Sequence, residues 1–338
     1  MRKPLPILSA LFFLFAVTAA SAAAPPLKLV AKYKMPASVK GPKFDHLAVD
    51  VSGNRLFATG ESDHEVLVFN LHTGQYLRAI TGIQIPHAVH VSDSRNLIFV
   101  TDGGAGGVRV FNGKTYSQVK FIPLKVDSDS IGYDPQSHDL YVINGGGDAH
   151  QTFSMLSVIN TESQSKVADI KLNGDTLEQM AIAQHSPLLY ESAKSLNRID
   201  VINRRTRTVV NKWPVTMGQV NVSIALDEAD HRVFSACRSG VIVAFDTQNG
   251  KELKTVPIDK NVDDLIYDPA RKRLYASTMA GYIDVYQVNG PDNYVSLGRI
   301  PAAPGSKNEV LAPSLNRLYT TVPPQAGNPG EIYVYQIE

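Results

Sequence analysis

Three features predict an all-β fold, a seven-bladed β-propeller of four-stranded antiparallel blades whose last blade is closed by the N-terminal strand. An aromatic anchor in a short apolar run recurs seven times, at Phe57, Phe99, Tyr141, Tyr190, Phe234, Tyr275 and Tyr319. The steps between anchors are 42, 42, 49, 44, 41 and 44 residues, a spacing typical of propeller blades. The segments after the anchors, EVLVFN, GVRVFN, VIVAFD and YIDVYQ, alternate with period two, as strands do and helices do not.

Each repeat follows one order. A first apolar strand (LAVD, IGYD, IALD, LIYD) ends at a turn rich in Asp, Ser, Gly and Pro. The second strand carries the anchor (RLFAT, LIFVT, DLYVI, RLYAS), the third alternates, and a turn such as LHTGQ or TQNGK leads into a more variable fourth. The blades fall at about 44–84, 85–125, 126–174, 175–218, 219–259, 260–304 and 305–338. The last repeat stops at its third strand, EIYVYQIE, while LKLVAKYKMP near the N-terminus has no repeat of its own. Residues 28–35 are therefore expected to complete the seventh blade, which removes an exposed sheet edge. The long step into blade 4 is a loop insertion in blade 3, NGGGDAHQTF at 144–153.

The first residues stand apart. Arg2 and Lys3 precede the apolar run LPILSALFFLFAV, and ASA at 20–22 supplies the small residues a signal peptidase requires. Residues 1–22 read as a signal peptide and 23–338 as one propeller domain, periplasmic or secreted and with no membrane anchor after cleavage. The 33 Lys and Arg nearly balance 32 Asp and Glu, so no general attraction to nucleic acid or anionic membrane follows. The basic stretch NRRTRTVVNK (203–212) lacks interleaved aromatics and reads as a solvated turn with flanking strand. Cys237, the single cysteine, can form no intramolecular disulfide and is expected to be a buried, inert thiol. A monomer is expected.

The strings IFVTDGG (98–104) and LYVINGGG (140–147) resemble the YVTN-type repeat of secreted bacterial propellers. FDHLAVD followed by NRLF resembles the YncE-like group of that superfamily. The resemblance covers essentially all of the chain beyond the leader and implies an exported seven-bladed propeller. It implies no particular activity, because the superfamily includes binding scaffolds and proteins of unknown role.

Chemistry is expected at the channel mouth. The position twelve residues before each anchor holds Asp45, His87, Asp129, Glu178, Val222, Asp263 and Lys307. The next holds His46, Ala88, Ser130, Gln179, Ser223, Asp264 and Asn308, and Asn221 adjoins the apolar member. Such residues at strand starts can simply bond loop amides or neighbouring blades. Alternatively they form a ligand site, with Asp45, His46, His87, Asp129, Glu178, Asn221, Asp263, Asp264 and Lys307 converging from different blades. Crowded carboxylates repel one another unless a cation, a proton or Lys307 offsets them. Oxygen-rich ligation suits Ca²⁺, Mg²⁺ or Mn²⁺, and histidine admits Zn²⁺. Two glycine-rich loops, TDGGAGG (101–107) and NGGGDAH (144–150), open on the same face and could approach a ligand closely.

Two functions compete. One is an exported binding or scaffold protein recognising a small molecule, glycan or protein through the loop-rich mouth. The other is a metal-dependent hydrolase or lyase comparable in layout to propeller lactonases, which coordinate a cation with Glu, Asn and Asp. On that likeness Glu178, Asn221 and Asp263 or Asp264 are the ligands, and His46 or His87 the general base. No CxxCH, GxSxG, HExxH or phosphate-loop motif is present, and one tryptophan, Trp213, argues against Trp-docked quinoprotein blades. The remaining histidines, 64, 72, 90, 138, 185 and 231, are expected mostly in solvated turns.

Overall fold

The structure is a computed structural model that describes residues 24–92, 95–325 and 328–338; the signal peptide expected at 1–22 lies outside them. Seven four-stranded antiparallel sheets are present. Blade 1 comprises Leu47–Asp50, Arg55–Gly60, Glu65–Asn70 and Tyr76–Ile80, and the next five blades repeat that order. In blade 7 the N-terminal strand Leu27–Lys34 lies against the C-terminal strand Glu331–Ile337, with Leu27 opposite Ile337 and Lys34 opposite Glu331. The ring is closed by both ends of the chain in one sheet.

The turns explain why the strands stop where they do. Asp50, Asp134, Asp227 and Asp268 end first strands, are buried, and accept turn amides from Gly53, Gln136, Asp230 and Ala270 respectively. Asn70, Asn112, Asn160 and Asn203 do the same after third strands, accepting from Thr73, Thr115, Ser163 and Thr206. These side chains replace ladder bonds that the reversing backbone has lost.

The apolar interior is divided into seven layers, each between two adjacent blades, and the anchors supply one residue to each. Phe57 packs between blades 1 and 2, Phe99 between 2 and 3, and so on to Tyr319 between 7 and 1. All seven anchors are at most 3 % exposed, so the repeat period is the spacing of these layers. First strands touch first strands in turn, blade 7 meeting blade 1, and together they surround the central axis.

Two surface expectations differ in detail. Arg204, in the basic stretch, is buried, pairs with Asp134 of blade 3 and donates to the Ala183 and Ser186 carbonyls at 2.6 and 2.7 Å. It joins blades 3 and 4, because its planar donor fork satisfies three acceptors at once. His90 lies on the first strand of blade 2 (Pro86–Ser92), not in a turn, and stacks on Tyr133 with ring centroids 4.1 Å apart. Cys237 is fully buried, and burial pushes its thiol up to about 12, which keeps it a thiol.

Candidate functional site

At the mouth, the first strands of blades 1 and 3 begin only at Leu47 and Ile131. Asp45, His46, Asp129 and Ser130 therefore sit in the entering segments, anchored by backbone bonds: Asp45 N–H to Thr59 O, His46 N–H to His87 O and Asp129 N–H to Ile143 O. These bonds aim the side chains at one another. His87 Nδ1 is 2.6 Å from Asp45 Oδ2 and 3.8 Å from Asp129 Oδ1. Among the described residues, Asp45, His87 and Asp129 form the one group of three or more metal-type side chains whose ligand atoms all lie within 4.8 Å of one another.

The three side chains hold each other's charge. Burial disfavours a charged His87, but Asp129 and the hydrogen-bonded Asp45 outweigh it and raise the imidazole to about 10. Burial also works against the Asp45 carboxylate, yet His46 and His87 keep its pKa below the usual range. Asp129 is raised, first by burial and also by Asp45, with His87 only partly offsetting them. His87 is thus paired with the Asp45 carboxylate, while Asp129 beside them takes up a proton more readily than a free carboxyl.

On the outer side of His87 a cavity of about 590 Å³ is lined by Glu61, Gly103, Gly104, Asp127, Asp148 and His150 among others. Both glycine-rich loops line it, as expected. A Cβ on Gly103 would come within 2.7 Å of His87 Nε2, so the absence of a side chain there lets the imidazole face the cavity. Asp127 adopts a left-handed φ of 61°, and burial, reinforced by Asp148, raises its pKa.

The other side of the mouth is charge-matched within the protein. Glu178 pairs with Lys194; Asp263 pairs with Lys307 and, at 2.6 Å, with Arg238. Asn308 Nδ2 adds a bond at 3.4 Å to Asp263. Asn221 does not reach the mouth. It is fully buried between blades 4 and 5, donating to Ser192 Oγ at 2.7 Å and to the Arg198 carbonyl at 2.9 Å. It stands one position before the mouth register, beside Val222, where Phe44, Ser128, Leu177, Val262 and Ser306 of other blades are buried too. The expected ligand set Glu178, Asn221, Asp263 and Asp264 is therefore not brought together.

The second register forms a throat. His46 extends from blade 1 to Ser130 of blade 3 (3.1 Å) and towards Asp264 of blade 6 (3.7 Å). Burial opposes a charge on His46, but Asp45, Asp264, Asp129 and Asp263 raise its pKa. Asp264 accepts from Gln179 Nε2 and from the Glu309 amide at 2.8 Å, and Gln179 accepts from Ser223 Oγ, so this register also ties blades together. Beyond it lies a channel cavity of about 290 Å³, bordered by His46, Gln179, Asp264 and Glu309.

Glu309, Lys194 and Arg238 were not singled out from sequence, yet each carried a signal. Two residues past the first register, six blades have Leu47, Val89, Ile131, Met180, Ile224 and Leu265; blade 7 alone has a charge, Glu309. Four residues past the anchors stand Glu61, Gly103, Gly145, Lys194, Arg238, Met279 and Pro323. These loop positions give Lys194 to Glu178 of blade 4 and Arg238 to Asp263 of blade 6, and no Lys or Arg to blades 1–3.

The sheet order, the closed ring and the channel define a seven-bladed β-propeller. No family model matches the chain. The proteins called uncharacterized protein YncE in Salmonella typhi and Salmonella typhimurium are each 31 % identical over 115 residues, 34 % of this chain. The match spans about a third (32 %) of the length of those curated relatives. A chain of Kuenenia stuttgartiensis hydrazine synthase superposes with a TM-score of 0.73 over 89 % of this chain and 97 % of that one. At 16 % identity, that likeness concerns the fold alone.

Proposed function

We propose that this propeller is an exported ligand-binding protein and that its mouth, on the side of blades 1–3, takes a divalent cation or a ligand that presents one. The carrying observation is the convergence of Asp45, His87 and Asp129. Two carboxylates and an imidazole are a donor set that Mn²⁺ and Zn²⁺ accept, with Ca²⁺ and Mg²⁺ less suited to the nitrogen. A bound cation would replace the His87 proton as the charge between the carboxylates, so binding should release protons. The adjoining cavity has room for the rest of a small molecule or for a protein or glycan loop.

The same geometry supports a second reading, metal-dependent hydrolysis or lysis. Three protein ligands leave coordination positions open, and a metal there would supply Lewis-acid activation. In that case His46 and the side chains facing the cavity position the substrate.

The test uses mature protein recovered from the periplasm or medium of an expressing bacterium, its N-terminus read by mass spectrometry and expected at Ala23. Elemental analysis and thermal unfolding with Ca²⁺, Mg²⁺, Mn²⁺ and Zn²⁺ follow. At least one cation should raise Tm by about 2–4 °C at roughly ten times its Kd, and the D45N/D129N double variant should lose that shift. Metal-free protein with no response to any of the four would sink the reading. Cation-dependent turnover of a lactone or ester panel would select the enzyme.

A further inference from the structure

We infer that the face opposite the mouth carries a second binding site, a cavity between blades 4 and 5 that takes a neutral aromatic molecule of one or two rings. This goes beyond the mouth site and does not depend on it.

The cavity exists because one position of the repeat is filled differently in blade 5. Directly after the Asn, Asp or Gln near the end of each third strand stand Leu71, Gly113, Thr161, Arg204, Thr247, Val288 and Ile337. Each donates its amide to the turn between the first and second strands of its own blade, so the seven are equivalent. Leu71 bonds to Asn54 O, Arg204 to Pro187 O and Thr247 to His231 O. Leu71, Val288 and Ile337 bury aliphatic side chains against the preceding blade, and Arg204 spans to Asp134 of blade 3. Thr247 is short and only partly buried, which leaves the junction of blades 4 and 5 open.

The opening is a cavity of about 740 Å³ at the turns that follow the first strands, the end away from the mouth. Its walls are mostly apolar, with Ile182, Leu188, Leu226 and Pro269 joined by Tyr190 and Tyr267. That volume and that mixture of aliphatic and aromatic walls suit a flat apolar molecule. Among the described residues, no Lys or Arg lines the cavity. Both carboxylates that border it are engaged. Asp227 accepts from the Tyr267 hydroxyl at 2.6 Å and the Asp230 amide at 3.2 Å. Glu228 accepts from the amides of Gln184 and His185 at 2.9 and 2.8 Å. A charged ligand would give up its hydration against apolar walls and satisfied carboxylates, whereas a neutral ring would not.

The test titrates the full mature protein with 2-naphthol at about pH 7, where a phenolic hydroxyl stays protonated. The readout is Trp213, the single tryptophan, whose ring centroid lies 5.5 Å from that of Tyr190. Quenching should saturate at one site, and Tm should rise by about 2 °C at roughly ten times the Kd. Naphthalene-2-sulfonate and 2-naphthylmethylammonium should bind at least about tenfold more weakly. Thr247→Arg, which should cross the cavity as Arg204 crosses the junction of blades 3 and 4, should abolish the saturable quenching. Ala229→Phe, at an exposed position of the wall, should abolish it too and decides the matter if the arginine variant does not fold. Asp129→Asn, which alters the mouth, should keep it. No saturable quenching in the wild type, equal binding of either charged analogue, binding that survives in either folded cavity variant, or binding lost in Asp129→Asn would each overturn the proposal.

Discussion

The two sides of the channel mouth carry the same class of side chain at the same register, yet they are different electrostatic objects. On the side of blades 4–7, Glu178 has Lys194, and Asp263 has Arg238 and Lys307. On the side of blades 1–3, Asp45 and Asp129 share His87, and the neighbouring loops add Glu61, Asp127 and Asp148 without a lysine or arginine lining that cavity. The difference originates in the loop between the second and third strands. Where blades 4 and 5 place a base, blade 1 places Glu61 and blades 2 and 3 place Gly103 and Gly145. The carboxylates are thus neutralised by Lys and Arg on one side of the ring, and offset only by His46 and His87 on the other.

The contrast can be broken by removing one base from each side. In chelator-treated protein, His87→Leu should cost about 3 kcal/mol, because Asp45 and Asp129 lose the cation between them and keep only the more distant His46. Lys307→Met should cost about 1 kcal/mol, since Arg238 remains at 2.6 Å from Asp263. Urea unfolding measures both, and equal losses would show that the two sides do not differ.

A smaller effect separates the loops. Gly103→Ala should push His87 off Asp45, given the 2.7 Å approach of a Cβ to Nε2. We expect about 1 kcal/mol of destabilisation and loss of the cation-dependent Tm shift. Arg238→Ala, at the equivalent loop position, should cost a similar amount and keep the shift. A retained shift in Gly103→Ala would mean that His87 is not a ligand.

The smallest effect concerns two histidines on one strand. His87 is raised by its carboxylates, whereas His90, three residues on, is lowered to about 4 by burial alone. Because folded His90 binds a proton less readily than unfolded His90, its contribution is intact above about pH 6.5 and is lost as pH falls towards 4. His90→Phe, which keeps the packing on Tyr133 and Phe99, should flatten that part of the acid stability profile. An unchanged acid slope would show that His90 does not titrate in the fold.

Much of the architecture was legible because it rests on periodicity. The anchors, the period-two strands and the unpartnered N-terminal strand report local pattern and spacing, and each has a direct physical counterpart in the inter-blade layers and the closing sheet. The mouth was legible only as a set of candidates. Asp45, His87 and Asp129 lie 42 residues apart in sequence and come within bonding range because the ring places blades 1, 2 and 3 side by side. Asn221 was included as the neighbour of the apolar register member Val222, and that one-position offset places it in a blade interface.

The sequence by itself determined the number of blades, the strand order and the ring of polar residues at the strand starts, since these follow from alternation, turn chemistry and a fixed repeat. Tertiary structure alone decided which charges meet. Coulombic and hydrogen-bond partners act over a few ångströms, and residues on different blades acquire those distances only when the ring closes.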